Sequence, residues 1–396
     1  MSGLSGAGCA VVRSGLQVHT APGRRGSGDV VICRGVVSDT CVHGPVPVDA
    51  DGLLVAPGLV DIHVHGASGH DFTEPEPAAW HDVLDTHLAA GTTTVLATLA
   101  STSPARTAAA LATAAALLSG PDAPTLAGVH LEGPCLAHGQ RGAHDPGHLC
   151  TPGQLRAELT PLPEGLRMVT LAPELPGADA LITYLAQAGV RVSAGHSAAT
   201  AQDLARARRL GLSHLAHLWS GQSALTRPVL HRVPGLLEAS LASDTVTAEV
   251  IADGHHLPAT LLTIALRCLG PDRLCLVSDA TAGMGLPPGS TFRTGASRGQ
   301  VHDGYAATAD HASLCGSVTP LATCVARMRE MTGAPIEDVL TMATATPARA
   351  AGLYPRKGSL LPGADGDVVM LDTDLNVRRV VLAGRPFAAT AAEPVR

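Results

Sequence analysis

Aromatic residues are scarce: Trp, Tyr and Phe together make up 2% of the 396 positions. With 45% hydrophobic residues overall, the core has to be built from Ala, Val and Leu. Charged residues are also few, of both signs and without a basic stripe, and the formal net charge is −7. That pattern argues against nucleic acid as a partner. Long apolar runs are missing. The longest, TAAALATAAALL at 107–118, is too short to span a bilayer and reads as a helix with one buried face, so no membrane partner is expected. No basic segment leads into a long apolar one at the N-terminus, so no signal peptide is expected. The nine cysteines include no C-x-x-C, and their odd number favours reduced thiols in a cytoplasm over a disulfide framework.

What the chain does have is histidine, 19 in all, and several fall where strands end. The stretch 57–66, PGLVDIHVHG, reads as a buried strand running into a glycine turn. His63 and His65 are two apart, and alternate residues of a strand share a face. Two imidazoles on one face near a strand's C-terminal end make half of a metal site.

The two ends of the chain look alike. Residues 1–55 hold short β-branched runs (LQVHT, GDVVICRGVVSDT, DGLLVAP), and DVVMLDTDLNVRRVVLAGRPF at 367–387 has the same character. Residues 1–55 and 356–396 are therefore expected to form one small β-sandwich. Between them strand-like and helix-like runs alternate. After LVDIHVH come strands at 92–99, 125–133, 167–174, 190–197, 213–218, 247–254 and 272–280. Helices are expected near 77–91, 105–120, 152–159, 178–189, 199–211 and 258–270, with long loops at 134–150 and after 218. Eight such units predict an α/β fold, a (β/α)8 TIM-like barrel over 56–355.

In that barrel, chemistry collects at the C-terminal strand ends. His63, His65, Glu132, His196, His217 and Asp279 all sit at or just past the end of an apolar run. Imidazole and carboxylate converging on one mouth suit zinc or iron. Each residue also has a plainer reading. Glu132 could cap a helix or pair with a base, His196 could lead into a helix capped by Ser197, and Asp279 could cap a turn. His214 and His217, three apart, face different ways, and one of them could be structural.

The motifs PGLVDIHVHG, GVHLEGP, RGAHDP, AGHSAAT, IADGHHLP, LVSDATAGMG and TATPARAAGL run in that order between about residues 52 and 372. They resemble the N-acetylglucosamine-6-phosphate deacetylases of the amidohydrolase superfamily. HGASGHDFTE at 65–74 is similar to that family's first loop, and KGSLLPGADGD at 357–367 to the superfamily's usual ending. The resemblance implies metal-dependent hydrolysis of N-acetylglucosamine 6-phosphate to glucosamine 6-phosphate and acetate, by a cytoplasmic homodimer. It implies Glu132, His196 and His217 as main ligands of a divalent ion, zinc ahead of iron. His63 and His65 match the pair that supplies a second site in some members, so one or two ions per subunit are expected. Asp279 matches the catalytic aspartate, base first and acid afterwards. Ala143 and His144 match contacts to the acetyl group or sugar. His256 and Arg232 resemble contacts near the sugar or its phosphate, and Leu314, Cys315 and Gly316 a loop lying against the sugar.

One departure concerns specificity. The family usually reads H-L-F-N-A-M after the sixth strand, and here 217–222 is HLWSGQ. Ser220 and Gly221 can keep backbone contacts to substrate but not the amide side chain, so the 6-phosphate requirement is open, with Arg227 and Arg232 as rival anion contacts. The alternatives are a deacetylase of N-acetylgalactosamine 6-phosphate or of an unphosphorylated acetamido sugar and, in another class, a catalytically inactive scaffold. A cyclic-amide hydrolase is disfavoured. Those barrels usually carry a carboxylated lysine between two metals, and the sole lysine, Lys357, lies outside the barrel strands.

Overall fold

A computed structural model describes residues 8–18 and 25–387. Eight parallel strands lie side by side in chain order: β1 (Leu59–Val64), β2 (Thr92–Leu99), β3 (Leu126–Glu132), β4 (Leu166–Leu171), β5 (Arg191–Ala194), β6 (Leu212–Leu215), β7 (Thr247–Ile251) and β8 (Leu274–Val277). The last strand meets the first at their C-terminal ends. There Asp279 N–H donates to the His63 carbonyl at 3.0 Å and His65 N–H to the Ala280 carbonyl at 2.8 Å. The wholly buried Asp61 carboxylate ties the same seam, accepting from Ser278 N–H at 3.2 Å and His63 N–H at 3.3 Å. Lower down, Val60 N–H donates instead to the Ala343 carbonyl at 2.9 Å.

Helices α1 (Pro77–Ala89), α2 (Pro104–Ser119), α3 (Pro152–Glu158), α4 (Ala178–Gln187), α5 (Ala201–Arg209), α6 (Leu236–Leu241), α7 (Ala259–Leu269) and α8 (Leu321–Thr332) alternate with the strands. Proline opens α1, α2 and α3 at a position whose N–H has no helical partner. Ser103 caps α2 by accepting from Arg106 N–H, and Thr200 with Asp203 forms a capping box on α5. The apolar run 107–118 lies within α2, and Ala110, Leu111, Ala114 and Leu117 form its buried stripe. Among the described residues no helix is long and apolar enough to cross a membrane. The helix-facing strand residues join one large core. Val60, Ile62, Leu96, Met168, Ile251 and Val277 form a separate cluster inside the barrel.

Both chain ends build the second layer. Strand Leu54–Pro57 pairs antiparallel with Val368–Leu371 in a six-stranded sheet, opposite a four-stranded sheet containing Ala10–Arg13 and Val30–Cys33. Val12, Ile32, Val48, Met370 and Val381 are buried in the core of this sandwich. Strand Leu54–Pro57 straddles the expected boundary at 55/56, because it pairs in the sandwich and then runs through Gly58 into β1. Of the LQVHT run, positions 19 and 20 lie outside the described residues, as do 1–7 and 388–396 of the expected terminal segments.

Elements beyond the sequence expectation include α6, α8 and an inserted sheet. The loop after β6 contains α6. Between β8 and α8 a small antiparallel sheet is inserted: β9 (Thr291–Thr294), β10 (Ser297–Val301) and β11 (Ala306–Thr308). Its strands are only three to five residues long, too short for alternation to announce them.

His87 of α1 is fully buried and donates from Nε2 to the Gly66 carbonyl at 3.2 Å. Burial lowers its pKa from 6.5 to about 4, and the carbonyl offsets this only in part. Between pH 6.5 and 4 the unfolded chain binds this proton and the folded chain does not. Stability therefore falls as pH drops through that window, by on the order of 3 kcal/mol at its foot. His87→Gln keeps a donor for Gly66 and cannot titrate. Urea midpoints taken at neutral pH and at about pH 4 should show a smaller acid loss in the variant than in the wild type.

Candidate metal centre at the barrel mouth

The six residues singled out at strand ends meet. Glu132 is the last residue of β3 and His63 lies in β1, with His65 just beyond it. His196, His217 and Asp279 each lie two residues past β5, β6 and β8. His196 (φ 47°) and Asp279 (φ 49°) adopt left-handed backbone, a costly conformation that turns the chain off its strand at once. In β1, the four residues from Asp61 to Val64 lie against the three from Val95 to Ala97 of β2, a bulge at Ile62 and His63. The plainer reading of His196 does not hold: α5 is capped by Thr200, and the Ser197 hydroxyl donates to Glu174 at 2.7 Å.

The Glu132 carboxylate is the hub. Its Oε1 lies 2.8 Å from His217 Nε2, 3.0 Å from His196 Nε2 and 3.4 Å from His63 Nε2. Its Oε2 lies 3.1 Å from His144 Nε2 and 3.3 Å from His65 Nε2. Asp279 Oδ1 faces the same group, 3.3 Å from His65 Nε2 and 3.7 Å from His63 Nε2. Burial opposes ionisation of both acids, but the surrounding imidazoles hold Glu132 well below and Asp279 below the usual carboxylate range.

Beneath them lies a residue absent from the sequence reading. Glu249, wholly buried on β7, accepts from His63 Nδ1 at 2.8 Å, from His214 Nε2 at 2.9 Å and from the His217 backbone N–H at 3.1 Å. These contacts outweigh burial and keep it ionised. An ionised carboxylate only accepts, so His63 Nδ1 carries a proton toward it. His63 Nε2 is buried without a hydrogen-bond partner. Burial lowers the His63 pKa, but Glu249 and Glu132 more than reverse this and hold it well above its ordinary value. Nε2 thus faces a position that favours positive charge, which a divalent ion supplies as well as a proton does. Three overlapping groups have ligand atoms within 4.8 Å of one another: His63, His65 and Asp279; His63, Glu132 and His217; and Glu132, His144 and His196. Neutral imidazole with carboxylate is a fitting donor set for zinc or iron. His214 is the structural member of its pair, bound to Glu249 and to Thr247.

A cavity of about 310 Å³ opens above this centre. Ala143, His144, Ser220, Gly221 and His256 line it, and so does the 314–316 turn with Leu314, Cys315 and Gly316. Gly221 has φ 62°, and a Cβ there would lie 2.6 Å from the Gln140 carbonyl and 2.7 Å from His196 Nδ1, so only glycine fits. Trp219, Thr294 and Ser297 also face the space. Two supporting residues were not singled out from sequence. The Ser101 backbone N–H donates to His144 Nδ1 at 3.4 Å, and Asp253 accepts from His256 Nδ1 at 2.8 Å. Burial lowers the His256 pKa, but the Asp253 bond and charge carry it above its ordinary value.

Arg232 stands apart from the other expected site residues. It does not line the cavity of its own chain. Thr226 and Val233 pair as an isolated antiparallel bridge, and the tip between them, 227–232, is exposed. Arg227 shares that tip. Lys357 pairs with Asp367 at 2.6 Å and Asp365 at 2.9 Å beside the sandwich strands, away from the mouth.

The chain matches the amidohydrolase family over residues 54–387. It is 34% identical over 352 residues to an N-acetylglucosamine-6-phosphate deacetylase of Danio rerio, covering 85% of each chain. It is 36% identical over 354 residues to an N-acetylgalactosamine-6-phosphate deacetylase of Escherichia coli O157:H7, covering 86% of this chain and 90% of that one. This chain belongs to the amidohydrolase family and, within it, to the N-acetylglucosamine-6-phosphate deacetylase family. Among solved structures it superposes with a TM-score of 0.85 and 28% identity on the Mycobacterium smegmatis N-acetyl-D-glucosamine-6-phosphate deacetylase in complex with N-acetyl-D-glucosamine-6-phosphate, over 96% of this chain and 99% of that one. The Thermotoga maritima N-acetylglucosamine-6-phosphate deacetylase gives 0.84 at 29% identity, over 95% and 99%. Amidohydrolases generally depend on a divalent metal, and the mouth of this barrel has the donors to hold one.

Glu249→Gln removes the charge that orients His63. Loss of such a supporting carboxylate typically weakens metal affinity by about 10- to 100-fold. Metal retained after dialysis against a chelator should fall by that order while circular dichroism stays unchanged. Equal retention in both proteins would release Glu249 from this role.

Proposed function

We propose that this chain hydrolyses the N-acetyl group of an amino sugar 6-phosphate, N-acetylglucosamine 6-phosphate in the first instance, giving glucosamine 6-phosphate and acetate for amino-sugar catabolism. The observation that carries the reading is the placement of the Asp279 carboxylate against the same imidazole cluster that surrounds Glu132, at the floor of a sugar-sized cavity. Glu132, His196 and His217 would hold one divalent ion, zinc before iron, and His63 with His65 a second. When bound, such an ion supplies Lewis acidity, acidifying water and polarising a carbonyl.

The protein's own groups do the rest. Ionised Asp279 takes a proton from the attacking water as general base and returns it to the departing nitrogen as general acid. An amine leaves only once protonated, so one carboxylate serves both steps. Ser101 offers His144 Nδ1 its backbone N–H at 3.4 Å and its hydroxyl at 3.0 Å, which leaves the His144 proton for Nε2. In this structure Nε2 faces Glu132 Oε2 at 3.1 Å; with that carboxylate engaged by an ion, the proton would be free to donate to the developing oxyanion, and losing one such donor typically costs about 100- to 1,000-fold in rate. Asp253 favours the cationic form of His256, which suits a sugar oxygen or phosphate. Ala143, Ser220, Gly221, Leu314, Cys315 and Gly316 shape the wall against the sugar.

No arginine or lysine is among the residues lining the cavity. We assign the phosphate contact to Arg232, with Arg227 beside it, reaching from the exposed tip within a homodimer. The same observation favours a second reading, an unphosphorylated acetamido sugar, and the Escherichia coli relative keeps the galacto epimer in view. Reduced cysteines fit a cytoplasmic setting. In the domain division that goes with this function, 56–355 is the hydrolase barrel and 1–55 with 356–396 the two parts of the sandwich.

Asp279→Asn should keep its metal and lose about 100- to 10,000-fold in kcat, the usual share of a general acid–base; near-normal turnover would remove Asp279 from the role. Acetate release from N-acetylglucosamine 6-phosphate, N-acetylgalactosamine 6-phosphate and unphosphorylated N-acetylglucosamine decides the substrate. In Arg232→Ala, KM should rise for the phosphorylated sugars alone. Equal rates with and without the phosphate would favour the second reading.

A further inference from the structure

Three thiols meet on the sandwich, on a different sheet from the barrel mouth. Cys9 precedes strand Ala10–Arg13 and Cys33 ends strand Val30–Cys33. Ala10 pairs with Ile32, so Cys9 and Cys33 fall opposite each other at one end of the ladder. Cys41, from the loop after strand Val36–Val37, completes the group. The three sulfurs lie within 4.8 Å of one another, all three residues are half-buried, and none is in a disulfide.

We propose that Cys9, Cys33 and Cys41 form a second metal site, selective for a thiophilic closed-shell cation, zinc or monovalent copper. Soft thiolates select these ions over those that prefer oxygen. Three sulfurs satisfy three-coordinate copper(I), and zinc completes its tetrahedron with a water from the open side. The backbone is arranged for thiolates: Arg34 N–H donates to Cys9 Sγ at 3.2 Å, and His43 N–H donates to Cys41. Binding displaces the thiol protons to solvent, one for each thiolate formed. The bound ion would tie two strands of the four-stranded sheet and the following loop together. The site is independent of the chemistry proposed at the barrel mouth.

Cadmium titration of the reduced full-length protein is the test, because the ligands at the barrel mouth are nitrogen and oxygen and give no thiolate-to-metal charge-transfer band. The band should appear, saturate at one equivalent, and be lost in Cys33→Ser and in Cys41→Ser, with acetate release unchanged. Competition by zinc and by copper(I) under a copper-stabilising chelator then identifies the preferred ion. Cys135 and Cys150, whose sulfurs are 3.7 Å apart, are the other close thiol pair, so the band should survive in Cys135→Ser. A separate measurement needs no variant: mass-spectrometric alkylation should find Cys9, Cys33 and Cys41 protected in the zinc-loaded protein and reactive after chelation. Absence of the band, its persistence in the Cys33→Ser/Cys41→Ser double variant, or equal alkylation with and without zinc would each overturn the proposal.

Discussion

The arrangement at the mouth depends on one buried charge. A carboxylate taken out of water costs several kcal/mol unless partners surround it, and Glu132 is surrounded by five imidazole nitrogens within 3.4 Å. Glu249 repeats the solution one layer lower, with two imidazoles and a backbone N–H. The two carboxylates share His63, so upper and lower layers are one network. Such a network is stable only when every member is satisfied. The unpartnered Nε2 of His63 is where it asks for a cation.

The same residues close the barrel. The seam between β8 and β1 is made by the backbone of His63, His65, Asp279 and Ala280, so the groups proposed for catalysis are fixed by the hydrogen bonds that complete the cylinder. The left-handed backbone at Asp279 is held by that closure and that at His196 by the Ala137 N–H on its carbonyl, and a free loop would relax either. Above the seam the inserted sheet forms part of the roof. Ser297 donates to the Ala143 carbonyl, and Gly295 N–H donates to Asp71 at 2.7 Å. The loop carrying His144 is thereby tied to an element that other parts of the chain also hold in place.

Much of this was legible in the linear chain. Each barrel strand is a contiguous apolar run, so its end, and the His, Glu or Asp standing there, could be found by inspection. Glu249 was not, because it lies inside a run, TAEVIADG, where an acid looks like an interruption; its role needs His63 and His214, 186 and 35 positions away. Asp253 reads as a turn residue until His256 folds back on it. Ser101 meets His144 Nδ1 through both its backbone N–H and its hydroxyl, at 3.4 and 3.0 Å, a contact between residues 43 positions apart that neither residue announces by itself. Arg232 was a natural candidate for an anion contact by charge, and the bridge between Thr226 and Val233 sets it on the exposed tip from which the proposed contact across a dimer would be made.

The sequence by itself determined what local chemistry can encode: the alternation of strand and helix, the pairing of the two chain ends, and which side chains stand at the rim. Periodicity and strand-end position are properties of a few consecutive residues, and the barrel follows from their repetition. Tertiary structure alone decided the tautomer of His63, the ionisation of Glu132 and Asp279, and the meeting of Cys9, Cys33 and Cys41. Each of these depends on which distant charges, donors and sulfurs come within a few ångströms after closure, and on water being removed from between them.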